Sequence, residues 1–150
     1  MANKDYYCKI IESNGEFDAY ERVMCKDLGD AIPLDEATQQ EPIVIEYEKH
    51  LILGIHNEKS EDKDYEKCVV IDPEGRKFVC GGATFRRELE NIVAELSDVG
   101  ITSGFTIKVY RKASNNYKGK DFITCSLCRE KPTFSTATAD CVPCIDFDAQ

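Results

Sequence analysis

Apolar and polar positions change period at definite points along this chain, and those points order its elements. Ile43-Val-Ile-Glu-Tyr47 and Leu51-Ile-Leu-Gly-Ile-His56 are rich in β-branched residues and predict one long strand, bent near Lys49 and His50 or at Gly54. A charged stretch from Asn57 to Glu66 follows. Cys68-Val-Val-Ile71 and Lys77-Phe-Val-Cys80 then flank Asp72-Pro-Glu-Gly75, whose Pro and Gly suit a tight turn, so the two runs predict a hairpin. Past Gly81-Gly82 the spacing shifts. Phe85, Leu89, Ile92, Val93 and Leu96 recur every three or four positions and form one apolar stripe, opposite Arg86, Arg87, Glu90 and Glu95. This predicts a helix with Thr84 as N-cap and Gly100 as its stop. Phe105-Thr-Ile-Lys-Val-Tyr110 alternates strictly, as a strand with one buried face does, and Phe122-Ile-Thr124 continues in the same way.

The resulting order is mainly β with one helix, β-β-β-α-β-β, which is that of an OB-fold-like five-stranded barrel over residues 43–126. A generic α+β sheet carrying one helix fits the same string. Residues 1–42 are weakly periodic. They suit a short strand at Tyr6–Ile11 and a helical turn at Asp35–Gln40 after Pro33, and otherwise predict an acidic segment with little structure. No apolar run approaches a membrane span and the first residues offer no apolar signal-peptide core, so the chain reads as soluble and cytoplasmic, in a host cytoplasm if phage-encoded.

Cysteine spacing changes the picture at the C-terminal end. Cys125-Ser-Leu-Cys128 and Cys141-Val-Pro-Cys144 are two CxxC pairs, and four soft thiolates form the closed tetrahedral set of a structural zinc ion. Residues 125–150 are therefore expected to be a zinc-ribbon-like appendage with four cysteine ligands, although Thr133 to Ala139 lacks the Gly turns that usually tighten such knuckles. Two incidental cysteine pairs, or a redox CxxC, are the alternatives. Cys8, Cys25, Cys68 and Cys80 are scattered and read as small buried hydrophobes.

Net charge is −9, but unevenly placed: residues 1–66 hold 7 Lys/Arg against 17 Asp/Glu, while residues 67–120 hold 10 against 6. The basic working segment centres on the connection between the last two strands. Lys108, Arg111, Lys112, Lys118 and Lys120 alternate there with Tyr110, Tyr117 and Phe122, and Asn115 adds a polar side chain. Cations neutralise phosphates and flat rings stack on unpaired bases, so this composition points to single-stranded nucleic acid. In an OB-fold this loop flanks a ligand lying across the second and third strands, where Arg76, Lys77 and Phe78 would extend the track if they face outward. A solvated Lys-rich hairpin tip is the bland alternative. Catalysis has no comparable support. His50 and His56 lie in the apolar first strand as core or edge histidines, Gly81-Gly82 lacks the Lys-Ser/Thr of a phosphate loop, and the chain is not read as an enzyme.

Between Ile43 and Cys125, Glu58-Lys-Ser-Glu-Asp-Lys-Asp-Tyr65, Val70-Ile-Asp-Pro-Glu-Gly75, Gly82-Ala-Thr-Phe85 and Asn116-Tyr-Lys-Gly-Lys-Asp-Phe-Ile-Thr124 resemble phage and prophage single-stranded-DNA-binding proteins. The resemblance implies an OB-like barrel that coats exposed DNA in replication or recombination. It assigns no role to the first 40 residues or to the cysteines. The tip Ile145-Asp-Phe-Asp148 is similar to the short acidic tails by which bacterial single-strand-binding proteins recruit partners, so a protein partner at this tip or at the N-terminal segment is a further expectation. A second function class fits the same charge pattern: a small acidic phage protein that mimics DNA and inhibits a host nucleic-acid enzyme.

Overall fold

The computed structural model describes residues 6–59, 61, 63–113 and 121–133. The fold is mainly β, built as two open sheets that share one corner. The first sheet has the order β1-β4-β5-β6-β2, from β1 (Tyr6–Asn14), β4 (Lys49–Asn57), β5 (Asp64–Ile71), β6 (Lys77–Cys80) and β2 (Ile32–Pro33). The second has the order β3-β7-β8, from β3 (Ile43–Tyr47), β7 (Phe105–Ala113) and β8 (Asp121–Cys128). The long bent strand read from the sequence is β3 and β4, broken at Glu48. Its first half pairs with β7 and its second with β1 and β5. The Glu48 amide still donates to the Ile71 carbonyl at 3.0 Å, which carries the ladder across the corner.

Closure into one five-stranded barrel is not what the described residues show. The edge of β6 pairs in parallel with β2, Ile32 opposite Phe78 and Pro33 opposite Val79, so the expected barrel is corrected to two open sheets. Proline suits this edge because it needs no ladder donor. The predicted hairpin of β5 and β6 forms, with Cys68 opposite Cys80 and Ile71 opposite Lys77. Asp72, buried, closes its turn by accepting from the Glu74 amide at 3.0 Å, the Arg76 amide at 2.8 Å and Arg76 Nε at 2.7 Å. Gly75 completes the turn at φ 86°, a backbone conformation that glycine adopts without a steric cost.

Helix α3 (Ala83–Asp98) buries Phe85, Leu89 and Val93 against both sheets, as its stripe requires. Its N-cap is Gly82 rather than Thr84, and no side chain caps it. Together with Ile45, Tyr47, Ile52, Val70, Phe78 and Ile107 these residues make the main core, where each fully buried large side chain contributes about 1.5–3 kcal/mol.

The N-terminal segment departs most from expectation. β1 runs the whole length of β4, from Tyr6 opposite Asn57 to Asn14 opposite His50, and α1 (Ala19–Cys25) and α2 (Leu34–Ala37) follow. Leu34 is fully buried in the main core. A second core fills the opposite face of the first sheet: Leu51, Leu53, Ile55, Val69, Ile71 and Val79 pack with Cys25 and with half-buried Cys8, Ile10, Phe17 and Leu28. The acidic segment is thus a layer of the fold. Among the described residues no helix is long and apolar enough to cross a membrane.

Candidate nucleic-acid interface

The basic-aromatic track expected from the sequence is split in the structure. Phe78 lies fully buried in the main core, directly opposite Val70, so it is a packing residue and not a base platform. Lys77 points to the other face, but α1 covers it. Its ammonium donates to the Met24 and Asp27 carbonyls at 2.9 and 2.6 Å and pairs with Asp30 at 2.7 Å, closing the C-terminal end of α1. Arg76 is held by Asp72 inside the hairpin turn. The expected track across β5 and β6 is therefore corrected: the outer face of these strands belongs to the second core.

On β7, buried Ile107 and Val109 alternate with Lys108, Tyr110 and Lys112, which share the outward face. Register places Lys108 opposite Ser126, Tyr110 opposite Thr124 and Lys112 opposite Phe122. Lys108 reaches Glu130 at 3.2 Å, in the segment that follows β8. That segment returns to β3, where Thr133 exchanges two 2.8 Å hydrogen bonds with the Val44 backbone, one through its amide and one through its hydroxyl. Arg111 turns toward α2. It donates to the Asp35 carbonyl and carboxylate at 2.6 and 2.5 Å, while its Nε is buried without a partner among the described residues. Lys112 is exposed and makes no ion pair among the described residues, with Tyr110 and Phe122 half-buried around it. Asn115, Tyr117, Lys118 and Lys120 lie outside the described residues.

A cleft of about 400 Å³ opens where β6 and β8 fail to meet, lined by Lys67, Gly81, Gly82, Thr84, Arg111 and Phe122 among others. Phe122 thus borders both the outward ribbon face and this open seam. Its ring is visible in the sequence and the seam is not, because the parallel β2–β6 pairing that leaves the seam open has no periodic signature.

Of the two CxxC pairs, the described residues hold the first. Cys125 and Cys128 both sit within β8, three residues apart, and three residues along a strand reverse the face. Cys125 points into the main core with Sγ 4.0 Å from the Phe85 carbonyl, and burial pushes its thiol up to about 12, a neutral group at neutral pH. Cys128 faces outward, Sγ 3.6 Å from Thr106 Oγ1. Among the described residues no group of three His, Cys, Asp or Glu side chains is placed to hold a metal, and Cys141, Cys144 and the acidic tip lie outside them.

The histidines have opposite environments. His50 is buried, its Nδ1 2.7 Å from the Tyr47 hydroxyl, and burial lowers its pKa from 6.5 to about 4. His56 stacks on Tyr7 and lies between Asp64, 2.7 Å from Nδ1, and Glu58, 2.5 Å from Nε2. The two carboxylates raise its pKa, Asp64 more than Glu58. Arg86 gathers Glu66, Glu12 and Glu90 around one guanidinium. Compared with family models, curated proteins and solved structures, the chain matches none.

Proposed function

We propose that this chain binds single-stranded DNA through the outward face of the β7–β8 ribbon and the connection between those strands. The observation that carries the reading is the register itself: Lys108, Tyr110 and Lys112 stand in a row, with Phe122 opposite Lys112, so cations and rings alternate on one face. Single strands are held by this combination, phosphates by the cations and bases by the rings. The strand pairing adds support. A strand turned at Glu48, the β4-β5-β6 meander, the helix and the β7–β8 hairpin follow the scheme of an OB-fold left open between β6 and β8. OB-folds grip ligands with the loop of the last hairpin, and here the N-terminal layer leaves that hairpin as the face open to a strand. The resemblance to phage single-strand-binding proteins agrees, and it would place the chain in replication or recombination.

The test is fluorescence anisotropy of labelled oligothymidine with the full chain at two salt concentrations. Phe122→Ala should weaken binding by about 1–3 kcal/mol with little change in salt dependence, as loss of one stacked base does. Lys112→Ala should reduce the log–log salt slope by about 0.7. Failure of the parent protein to bind oligothymidine, or equal binding by parent and both variants, overturns the assignment.

A further inference from the structure

The segment 129–133 leaves β8 at Cys128, opposite Thr106, and ends beyond β3, where Thr133 bonds the Val44 amide and carbonyl on the edge that β7 leaves free. With β7 and β3 in between, that is three inter-strand steps of about 4.8 Å, or about 14 Å, and five fully extended residues reach only about 17 Å. The segment has no slack to travel round an edge, so it crosses a face of the second sheet. Ile45, Ile107, Val109 and Cys125 fill the inner face with core. The crossing is therefore on the outward face, the one that carries Lys108, Tyr110 and Lys112.

The burial of Val44 agrees with this path. Directly opposite residues of an antiparallel pair share a face, and Val44 stands opposite Lys108, yet it is 6% exposed and belongs to neither core. A strap laid across the outward face supplies that cover. The 3.2 Å contact between Glu130 and Lys108 puts the middle of the strap at the same level of β7.

This strap brings charge onto the face. Glu130 is met by Lys108, while its neighbours Arg129 and Lys131 are exposed and make no ion pair among the described residues. Glu46, opposite Thr106, is the other carboxylate of the outward face among the described residues, so Lys112, Arg129 and Lys131 outnumber it once the Lys108–Glu130 pair cancels. Lys108 and Lys112 lie about 13 Å apart along β7, with Tyr110 midway. The Tyr110 ring thus has uncommitted cations on two sides: Lys112 toward the hairpin connection, and Arg129 and Lys131 on the strap.

We infer that the strap is a second wall of the nucleic-acid site, with Arg129 and Lys131 binding phosphates of a strand that stacks on Tyr110, and with Glu130 positioning them through its pair with Lys108. The inference rests on the reading of the ribbon as a single-strand-binding face, and adds to that face two cations from outside the hairpin.

The test is the oligothymidine titration of the full chain across salt concentrations, repeated with Arg129→Ala/Lys131→Ala and with Arg22→Ala/Lys26→Ala, which removes two exposed cations from α1 and its C-cap on the first sheet. The strap variant should bind about tenfold or more weakly at low salt, with a log–log slope smaller by about 1.4, as loss of two phosphate contacts requires. The α1 variant should bind as the parent does. Arg129→Lys/Lys131→Arg keeps both charges and should keep the parent's slope. If the parent binds, an unchanged strap variant, an equal loss in the α1 variant or the same loss in the charge-keeping variant overturns the role of the strap and leaves the ribbon assignment standing. A parent that does not bind oligothymidine overturns both.

Discussion

His50 offers the sharpest quantitative check on the packing. The ring is 5% exposed, and it faces the Tyr47 hydroxyl within a core that cannot solvate an imidazolium. Burial is the main cause of its lowered pKa; Arg86 adds to it and Glu90 opposes it. An unfolded chain takes up the proton near 6.5, the native chain near 4, so between those values the unfolded state binds more protons and stability falls with falling pH. Each tenfold difference in proton affinity is worth about 1.4 kcal/mol, so the gap amounts to about 3 kcal/mol. It is fully present above pH 6.5 and is lost as pH falls toward 4, with about 1.4 kcal/mol gone by pH 5.5. Urea unfolding of the parent and of His50→Gln at pH 7.5, 6.5, 5.5 and 4.5 isolates the term, because the carboxylates and His56 are common to both proteins. His56 acts with the opposite sign: its raised pKa stabilises the fold below 6.5, an effect lost as pH rises through the folded value. The difference in stability between parent and variant should shrink steadily on acidification. A difference that stays constant across this range would refute a buried neutral His50.

Two further outcomes follow from particular contacts. Cys125→Ala should lower stability by about 1–2 kcal/mol through a core void, while Cys128→Ala stays within about 0.5 kcal/mol, both read from urea midpoints. Similar losses for the two, together with loss of bound zinc, would mean they share an ion. Lys77→Met removes a donor from the Met24 carbonyl at the end of α1 and from the Asp27 carbonyl just beyond it, and should cost about 1–3 kcal/mol, with amide exchange quickening across residues 19–25 more than in α3. Unchanged exchange in α1 would show that Lys77 does not anchor it.

How much was legible in the sequence depends on how local its cause was. α3, the Asp72-Pro-Glu-Gly75 hairpin and the alternation of β7 rest on nearest-neighbour periodicity, and each stands where that periodicity puts it. The corner at Glu48 was readable as a bend, but not as a change of sheet, since sheet membership is decided by β1 and β7 at a distance. β1 was half visible. Its outer residues Tyr6, Tyr7 and Ile11 are exposed beside its inner ones, which blurs the period-2 signal of an edge strand. Leu34 precedes the helical turn read at Asp35–Gln40 and opens α2, whose four residues are too few to show a period that would mark it as core, yet it is fully buried. The CxxC at Cys125 shows the converse: a motif defined by spacing presumes a turn, and β8 runs straight through this one, while Cys141 and Cys144 lie outside the described residues.

Charge is where sequence and structure diverge with the greatest functional weight. Glu12, Glu21, Asp30 and Asp35 all lie in residues 1–42, and each pairs with a base from the rest of the chain: Arg86, Lys49, Lys77 and Arg111. The basic surplus of residues 67–120 is therefore not a count of cations open to a ligand. Lys77 and Arg111 are committed to the N-terminal layer, and Lys108 to Glu130. The segment cannot simply swing aside to release them, because the same stretch supplies Leu34 to one core and Cys25 to the other. Lys112 is thus the only one of the described hairpin cations that is uncommitted within the described residues. Single-strand binding that used Lys112, Lys118 and Lys120 while Lys108 and Arg111 kept their carboxylates would show a slope of about 2, in place of the roughly 3 or more that all five cations would give. With Arg129 and Lys131 removed, a measured slope near the larger value would require Arg111 to leave Asp35 on binding, and Asp35→Ala would then tighten the complex without touching the DNA.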